Sequence, residues 1–406
     1  MKKIALYNPY LSSKGGGEKV CLALAESLQR DLGCQVYLVA HDKIDLADLA
    51  NYFKLNLDGI EVLLVNFNTL FYKLLRRIPL PGRIRNIFLD HRVLKTIRTH
   101  DFDIFINNCY QSNLPSPTKV GIYMCMFPQR LKGFLKDTSP LKKVYVRVAT
   151  VLSRLTLHPL HKNPIDSYQL ITANSAYTQS FISKLWSKPS SILYPICEDM
   201  LEPSIKKEKI ILHVGRFFAN DGESHHKRQD ALLQAFSGMT ELHKAGWELH
   251  LAGSVAEDVG ALKYILQLIK DGSGLPVVFH FNMPFNELHK LYNQATIYWH
   301  ATGFGSDVDE HPEKQEHFGI STVEAMSTGA IPIVINSAGQ KESVVSGKNG
   351  YLWDTLDQLQ QQTLAVSKLK PTQLKTLSDN AKQSATQFNS KAFDHQVEEL
   401  FGPFTS

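Results

Sequence analysis

The sequence has few cysteines and no long apolar run. Its 406 residues include no stretch of 18 consecutive apolar residues, so we expect no segment that spans a membrane. The apolar run after Lys2 and Lys3 ends at Asn8 and Pro9, too early for the core of a signal peptide. The five cysteines are odd in number and form no C-x-x-C pair, which is typical of reduced thiols. These absences predict a cytoplasmic protein without a disulfide framework or a zinc site.

Several catalytic signatures are also missing. The sequence contains no G-x-G-x-x-G, no G-x-x-x-x-G-K-[ST] and no G-x-S-x-G segment. It therefore gives no support to a dinucleotide-binding fingerprint, a P-loop NTPase or a serine hydrolase. Short-period repeats and low-complexity tracts are absent, while 43% of the residues are hydrophobic and 20% are charged. This composition excludes disordered, collagen-like and coiled-coil chains and indicates a globular protein of two or three domains.

The formal net charge of +5 hides an uneven distribution. Residues 1–200 carry 26 Lys and Arg against 15 Asp and Glu, a net charge of +11. Residues 201–406 carry 18 against 24, a net charge of −6. We expect the two halves to present surfaces of opposite net charge to solvent and to partners. The overall charge is too small to indicate a nucleic-acid-binding protein.

Apolar strands alternate with helical stretches in both halves of the chain. The alternation predicts two α/β domains with parallel sheets and right-handed crossovers. A helix is expected over 18–29 after the first strand, another over 230–243, and a polar helical tail over 354–400. The predicted strands lie at 3–7, 35–40, 60–65, 104–106, 119–125, 170–173, 210–214, 247–252, 276–280, 297–300 and 331–335.

Prolines and charged residues mark a boundary between domains. Pro195 and Pro203 flank a short charged segment, which has the composition of a linker. We predict a Rossmann-like N-terminal domain over 1–200 and a second such domain over 201–385. A C-terminal helix over 386–406 would pack back on the first domain. Two doubly wound domains that face each other would bind ligands at the carboxyl ends of their strands.

Two glutamates separated by seven residues are the strongest chemical signal. Glu316 lies in a loop, and Glu324 lies in the first turns of a helix that we expect to begin near Ser321. Carboxylates accept hydrogen bonds from pairs of sugar hydroxyls, and exposed N–H groups near Gly319 and Ile320 suit a diphosphate. The pattern predicts a nucleotide-sugar site. An ordinary amphipathic helix with an exposed Glu324 is the other interpretation.

Basic residues follow the first strand of the second domain. Gly215 allows a tight turn, Arg216 lies in the loop at the end of the strand, and Lys227 opens the next helix. A guanidinium fork and an ammonium group could neutralise a leaving diphosphate, or they could be surface residues beside a loop. In the first domain, Gly16 and Gly17 would let the backbone approach a phosphate or a sugar closely.

In combination, these segments resemble glycosyltransferase family 4, retaining enzymes of the GT-B fold that use nucleotide-sugar donors. The resemblance spans most of the chain. It implies an α/β fold with two facing Rossmann-like domains, the first binding the acceptor and the second the donor. The segments that carry it are 15–18, 173–175 with Tyr177 and Thr178, 194–195, 215–216 with Lys227, 299–303, the E-x7-E motif over 316–324, and Pro332, Gly339 and Glu342.

The resemblance implies roles for single residues. Arg216 and Lys227 would bind the donor diphosphate and stabilise its charge as it leaves, and Glu316 would contact hydroxyls beside the anomeric carbon. Glu324 would hold the ribose hydroxyls. Front-face attack, with the departing phosphate taking the acceptor proton, would need no protein base, no metal and no other cofactor. The implied substrate-binding residues are Gly16, Gly17, Phe318, Gly319, Ile320, Ser321 and Glu324.

Three features stand apart from the family pattern. Many relatives carry a histidine two residues before Pro128, where this sequence has Met126, and this leaves the identity of the sugar open. The loop 220–225 lengthens the usual gap between the arginine and the lysine, and it brings acidic residues toward the phosphate site. Histidines and acidic residues between 300 and 317 could suggest a metal, but their spacing matches no zinc or calcium motif.

Basic and apolar residues are interleaved over 67–100 and 130–154 in the first domain. This mixture suits an anionic membrane surface, and the first domain of the family often takes a lipid-linked saccharide. We predict peripheral attachment to the inner membrane face. Solvated helix faces over an ordinary core are the other interpretation, and no nucleic-acid-binding motif accompanies the charge.

The sequence thus predicts a retaining glycosyltransferase. It would move a hexose from a GDP-sugar or UDP-sugar to a hydroxyl of a glycan or a lipid-linked saccharide. The segment Glu-His-Phe-Gly at 316–319 resembles enzymes that use GDP-mannose, so mannose is the leading candidate. A nucleotide-sugar epimerase or hydrolase of similar fold, and a non-catalytic nucleotide- or glycan-binding protein, remain alternatives.

Overall fold

The computed structural model describes residues 1–67, 82–129, 140–157, 163–218, 226–256 and 258–405. The chain divides into two compact units. Unit 1 contains Met1–Tyr194 and Phe393–Ser406, and unit 2 contains Pro195–Ala392. Unit 2 is a continuous segment, whereas unit 1 is assembled from both ends of the chain.

Unit 1 is built on a parallel sheet. Its strands are β1 (Lys3–Tyr7), β2 (Gln35–Ala40), β3 (Glu61–Leu64), β4 (Ile104–Asn107), β5 (Val120–Cys125), β6 (Leu170–Ala173) and β7 (Ser191–Ile192). The seven strands found within the described residues run in the order β3-β2-β1-β4-β5-β6-β7, and each neighbouring pair is parallel. Its helices before the linker are α1 (Gly16–Arg30), α2 (Leu46–Phe53), α3 (Gly82–Arg98), α4 (Pro140–Leu157) and α5 (Ala176–Trp186).

Unit 2 repeats the architecture. Its strands are β8 (Glu208–Val214), β9 (Glu248–Gly253), β10 (Val277–Phe281), β11 (Ala295–His300), β12 (Ile331–Ile335) and β13 (Tyr351–Trp353). They form a parallel sheet in the order β10-β9-β8-β11-β12-β13. Its helices are α6 (Gln229–Ser237), α7 (Thr240–Lys244), α8 (Val259–Asp271), α9 (Phe285–Gln294), α10 (Ile320–Ser327), α11 (Gln340–Ser343), α12 (Leu356–Ser367) and α13 (Pro371–Ala385).

The central strands are continuous apolar runs because helices cover both faces of a parallel sheet. Every residue of β12 and of β4 is buried. In unit 2 the side chains of Trp299 and Trp353 lie in the core, and the Trp299 indole donates to Thr363 Oγ1 at 3.0 Å. The predicted α/β fold with two doubly wound parallel sheets is confirmed.

The single helix predicted over 230–243 is wrong. The structure has α6 and α7 there, interrupted at Gly238 and Met239, and Met239 takes the non-helical dihedrals φ −96° and ψ 53°. Glycine costs about 1 kcal/mol relative to alanine inside a helix, so the break falls where helix propensity is lowest. Strands β7 and β13 are also absent from the prediction, because two and three residues are too few to show a period.

The chain returns to unit 1 in its last helix, α14 (Ser390–Thr405). The backbone N–H of Tyr194 donates to Gln396 Oε1 at 3.1 Å, and Arg30 pairs with Asp394 at 2.6 Å. The predicted start of the C-terminal segment at 386 needs correction, because residues 386–392 belong to unit 2. One face of α14 is buried through Phe393, Val397 and Phe401.

The basic segments of the first domain fall partly on α3 and α4. In α4, Val144, Val148, Val151 and Leu155 are 58, 54, 57 and 69% exposed. Their spacing of three or four residues places them on one helix face. Residues 68–81 and 130–139 of the predicted basic segments lie outside the described residues. In the part of the chain that is described, no helix combines the length and the apolar character needed to cross a bilayer.

His213 is a buried titratable group in β8. Its Nδ1 donates to the carbonyl oxygen of Trp299 at 2.9 Å, and burial lowers the pKa of the imidazole to about 3. The unfolded chain binds a proton at this residue near pH 6.5, at about its ordinary pKa, and the folded chain does not. The free energy of unfolding therefore falls as the pH drops from about 6.5 toward 3.

His213→Asn keeps a donor for the Trp299 carbonyl but does not titrate. Between pH 6 and 4 we expect its free energy of unfolding to fall less steeply than that of the wild type, by about 1.4 kcal/mol per pH unit. Urea unfolding at several pH values measures both slopes. Equal slopes would show that His213 is not held neutral by the fold.

Candidate active site

The turn after β8 is held by close backbone contacts. A Cβ on Gly253 would lie 2.0 Å from the carbonyl oxygen of Gly215, so β8 and β9 end in contact. The Gln229 amide donates to the carbonyl oxygens of Gly215 and Arg216 at 3.2 Å each. These bonds fix the backbone of Arg216 at the carboxyl end of β8. Among the described residues no carboxylate pairs with its half-buried guanidinium.

Lys227, Glu316 and His300 meet at one carboxylate oxygen. Lys227 Nζ lies 2.6 Å from Glu316 Oε2, and His300 Nε2 lies 2.9 Å from the same atom. The Lys227 and Glu316 side chains are 17 and 15% exposed, and that of His300 is 1% exposed. The structure therefore brings two of the predicted catalytic residues into direct contact. The cation predicted to bind the diphosphate therefore neutralises the carboxylate predicted to bind the sugar.

The imidazole of His300 stays neutral. Burial lowers its pKa, and this outweighs the hydrogen bond to Glu316, which raises it. A neutral ring carries one N–H, and the carboxylate is an acceptor, so the proton lies on Nε2. The group that touches Glu316 from the side of β11 is thus an uncharged donor.

The loop that carries Glu316 is fixed on both sides. The Gly339 N–H donates to the Glu316 carbonyl at 2.9 Å, and a Cβ on Gly339 would lie 2.2 Å from the His317 carbonyl oxygen. The buried Gln315 amide accepts from Ser337 Oγ at 2.7 Å and donates to the Ser306 carbonyl at 3.3 Å. The position of the Glu316 backbone therefore depends on a glycine at 339.

Helix α10 starts at the same edge of the sheet. Gly319 precedes it with φ 103°, a conformation that favours glycine, and a Cβ there would lie 2.5 Å from Gln340 Nε2. Tyr298 Oη donates to Ser321 Oγ at 2.8 Å and contacts the Val214 carbonyl at 3.4 Å, which ties the helix start to the end of β8. Within the described residues no side chain caps the helix, so its first-turn N–H groups can bind an anion.

The second glutamate of the motif is held by a tyrosine. Tyr292 Oη donates to Glu324 Oε2 at 3.2 Å, and burial together with Glu324 raises the pKa of Tyr292 well above its ordinary value. Phe318 is buried against Phe388, with ring centroids 5.1 Å apart. Its side chain therefore faces the core, so a ligand could meet only its backbone.

The two glycines predicted in the first domain open α1. A Cβ on Gly17 would lie 2.9 Å from Met126 Cε, so this methionine packs on the start of the helix. Asn108 Nδ2 donates to the Gly17 carbonyl at 3.4 Å. Gly16 and Gly17 are in unit 1, whereas the other predicted site residues are in unit 2.

The possible metal ligands between 300 and 317 do not converge. His311 pairs with Glu313 at 3.3 Å, while Asp307 accepts from the N–H groups of Asp309 and Glu310. Over the described residues no three His, Cys, Asp or Glu side chains form a group that could hold a metal ion. The loop 220–225, with its acidic residues, lies outside the described residues.

An open cavity adjoins the Arg216 loop. Phe217 forms an isolated bridge with Val255, which is one of the residues lining this cavity of about 540 Å³. Four of the six lining residues are apolar and two are polar, which suits a flat ring with polar edges. The lining residues are Val255, Ala256, Asp258, Val259, Leu262 and Asn282.

Sequence reasoning assigned no role to His300, Gln229, Tyr298 or Tyr292. His300 carries a visible signal, a histidine at the end of an otherwise apolar strand. The other three residues lie within ordinary helix or strand patterns. Their hydrogen bonds to the site join residues that are 13 to 84 positions apart in the sequence. The spacing of residues in the sequence does not predict such contacts.

The chain is similar to proteins named as glycosyltransferases. A family model described as Glycosyl transferases group 1 matches residues 200–385. The chain is 26% identical over 451 residues to the GDP-Man:Man(3)GlcNAc(2)-PP-Dol alpha-1,2-mannosyltransferase of Xenopus laevis, covering 97% of this chain and 86% of that protein. It is 25% identical over 302 residues to the alpha-1,3/1,6-mannosyltransferase ALG2 of Candida glabrata, covering 65 and 62%.

Solved structures share the fold at low sequence identity. Anabaena HepE in complex with UDP and glucose superposes with a TM-score of 0.64 at 17% identity, covering 99% of both chains. WaaG, a glycosyltransferase involved in lipopolysaccharide biosynthesis, superposes with a TM-score of 0.66 at 14% identity, covering 99% of this chain and 100% of WaaG. With the family model and the mannosyltransferase relatives, these likenesses identify the chain as a glycosyltransferase of the GT-B fold.

Proposed function

We propose that this glycosyltransferase is a retaining enzyme of family 4 that transfers mannose from GDP-mannose to a hydroxyl of a lipid-linked oligosaccharide. The observation that carries the proposal is the contact of Lys227 and His300 with Glu316 at the carboxyl edge of the unit 2 sheet. The relative from Xenopus laevis, whose name specifies GDP-Man and a PP-Dol oligosaccharide, aligns over 97% of this chain. This relative supports mannose and a lipid-linked acceptor.

The donor would bind across the ends of β8 and β11 and the start of α10. Arg216, Lys227 and the N–H groups of Ile320 and Ser321 would surround the diphosphate, and these donors would stabilise the charge that develops on it. Glu316 would accept from hydroxyls of the sugar, and Glu324 from the ribose. The cavity beside the Arg216 loop would take the base.

The reaction follows from this placement of charge. The acceptor oxygen would form a bond to the anomeric carbon on the face from which the diphosphate departs. The bond between the anomeric carbon and the phosphate oxygen breaks, and that oxygen takes the hydroxyl proton. Lys227 would move from Glu316 toward the diphosphate, which releases the carboxylate to the sugar hydroxyls.

The acceptor would bind on unit 1, with Gly16 and Gly17 giving close backbone approach. Met126 packs on this turn, so the acceptor side carries a thioether. The exposed aliphatic face of α4, with the exposed Arg147 near it, would lie on an anionic lipid surface at the cytoplasmic side of a membrane. A peripheral enzyme would thereby reach a lipid-linked substrate.

Glu316→Ala should lower mannosyl transfer by about 100-fold or more, because it removes the acceptor for the sugar hydroxyls. The assay supplies GDP-mannose and a lipid-linked oligosaccharide and measures the elongated product and free mannose separately. Glu313→Ala is the matched control, since Glu313 is a partly exposed loop glutamate that pairs with His311. Full transfer by Glu316→Ala would refute its role, and release of free mannose without product would favour a hydrolase.

Arg216→Ala and Lys227→Ala should each weaken GDP binding by about tenfold or more, since a hydrogen bond to a charged group contributes roughly 1.5–3 kcal/mol. Calorimetry with GDP and UDP measures the loss and the preferred base. Lys270→Ala, an exposed lysine on α8, is the control for simple loss of positive charge. Unchanged affinity in both variants would remove these residues from the site.

The double variant Val148→Ser, Val151→Ser should reduce flotation with vesicles of phosphatidylserine and phosphatidylcholine by about threefold or more, because it interrupts the aliphatic face of α4. Val345→Ser, which replaces a valine that is 52% exposed in unit 2, should float like the wild type. Absence of wild-type binding at low salt would contradict membrane attachment.

A further inference from the structure

We propose that His300 is a positioning residue for Glu316. Its Nε2–H would hold one carboxylate oxygen so that the glutamate is already oriented when the donor sugar arrives. The inference rests on the proposed function and adds a residue to it. In the proposed arrangement His300 contacts no part of the nucleotide sugar. It acts through Glu316.

His300 is itself fixed by its surroundings. It ends β11, its side chain is 1% exposed, and its ring centroid lies 5.9 Å from that of the buried His213. Thr302 Oγ1 lies 3.2 Å from the same Nε2 that contacts Glu316. An imidazole N–H enclosed in this way has little freedom to follow a moving carboxylate. It therefore determines the resting position of the Glu316 carboxylate.

The other ring nitrogen of His300 determines which tautomer is stable. Nδ1 of His300 is buried and has no hydrogen-bond partner among the described residues. A proton on Nδ1 would leave a donor unsatisfied and would also turn the lone pair of Nε2 toward a carboxylate oxygen. Both arrangements are unfavourable, so the Nε2–H tautomer is the one that the site stabilises.

Lys227 and His300, which both contact Glu316 Oε2, have different roles. Lys227 is a cation, and the proposed reaction moves it toward the diphosphate. His300 is neutral and keeps its place whether or not a donor is bound. It therefore orients the carboxylate without neutralising it, and Glu316 keeps its full strength as an acceptor for sugar hydroxyls.

Two substitutions at 300 separate positioning from packing. His300→Leu fills the space but has no hydrogen-bond donor. We expect kcat to fall about 10–100-fold while the dissociation constant of GDP changes less than about twofold. His300→Gln places an amide N–H near the position of Nε2 and should recover kcat to within about fivefold of the wild type. His243→Asn, which changes an imidazole of α7 that contacts the Phe236 carbonyl oxygen, should keep kcat within about twofold.

These outcomes decide the proposal. A kcat for His300→Leu within twofold of the wild type, or an equal loss in His300→Gln and His300→Leu, would overturn it. Turnover of the proposed donor and acceptor by the wild-type enzyme is measured first. Absence of that turnover would contradict the proposed function, whereas the comparison of the variants tests the role of His300.

A spectroscopic measurement tests the same contact without turnover. Long-range ¹H–¹⁵N spectra of the full chain with labelled histidine should show His300 as the neutral Nε2–H tautomer. In Glu316→Ala the nitrogen shifts of His300 should change, whereas those of His311 should stay the same. An Nδ1–H tautomer or a doubly protonated ring at neutral pH would overturn the assignment, whatever the substrate of the enzyme.

Discussion

The ion pair between Lys227 and Glu316 joins residues 89 positions apart in the sequence, and the other parts of the unit 2 site are arranged around it. Both side chains keep less than a fifth of their exposure, so either charge alone would be costly. A ligand that separates them must offer each a new partner. An anionic diphosphate for the lysine and hydroxyl donors for the glutamate meet this condition together, whereas a free phosphate or a free sugar meets only half of it.

Close backbone approach is the second constraint on the site. Gly253 and Gly339 each stand where a Cβ would collide with a carbonyl oxygen, at 2.0 and 2.2 Å. The first contact sets the turn that carries Arg216, and the second sets the loop that carries Glu316. The placement of the charged residues therefore depends on close backbone contacts at these two glycines.

The sequence predicted what depends on local pattern. Continuous apolar runs located most of the strands, and the spacing of Glu316 and Glu324 placed one in a loop and the other on a helix. It did not predict the break at Gly238, where packing of Leu242 and Trp247 into the core accompanies the interruption of the helix. The role of His300 depends on two strands and a loop meeting in space, and the bonds from Tyr298 to Ser321 and from Tyr292 to Glu324 connect separate elements in the same way.

The return of the last helix to unit 1 has a consequence for synthesis. Unit 2 is, in topological terms, an insertion between residues 194 and 393 of unit 1. Every residue of unit 2 is synthesised before the partners of Tyr194 and Arg30 on α14. Unit 1 is therefore completed after unit 2, and until α14 has been made its surface lacks the cover of Phe393, Val397 and Phe401.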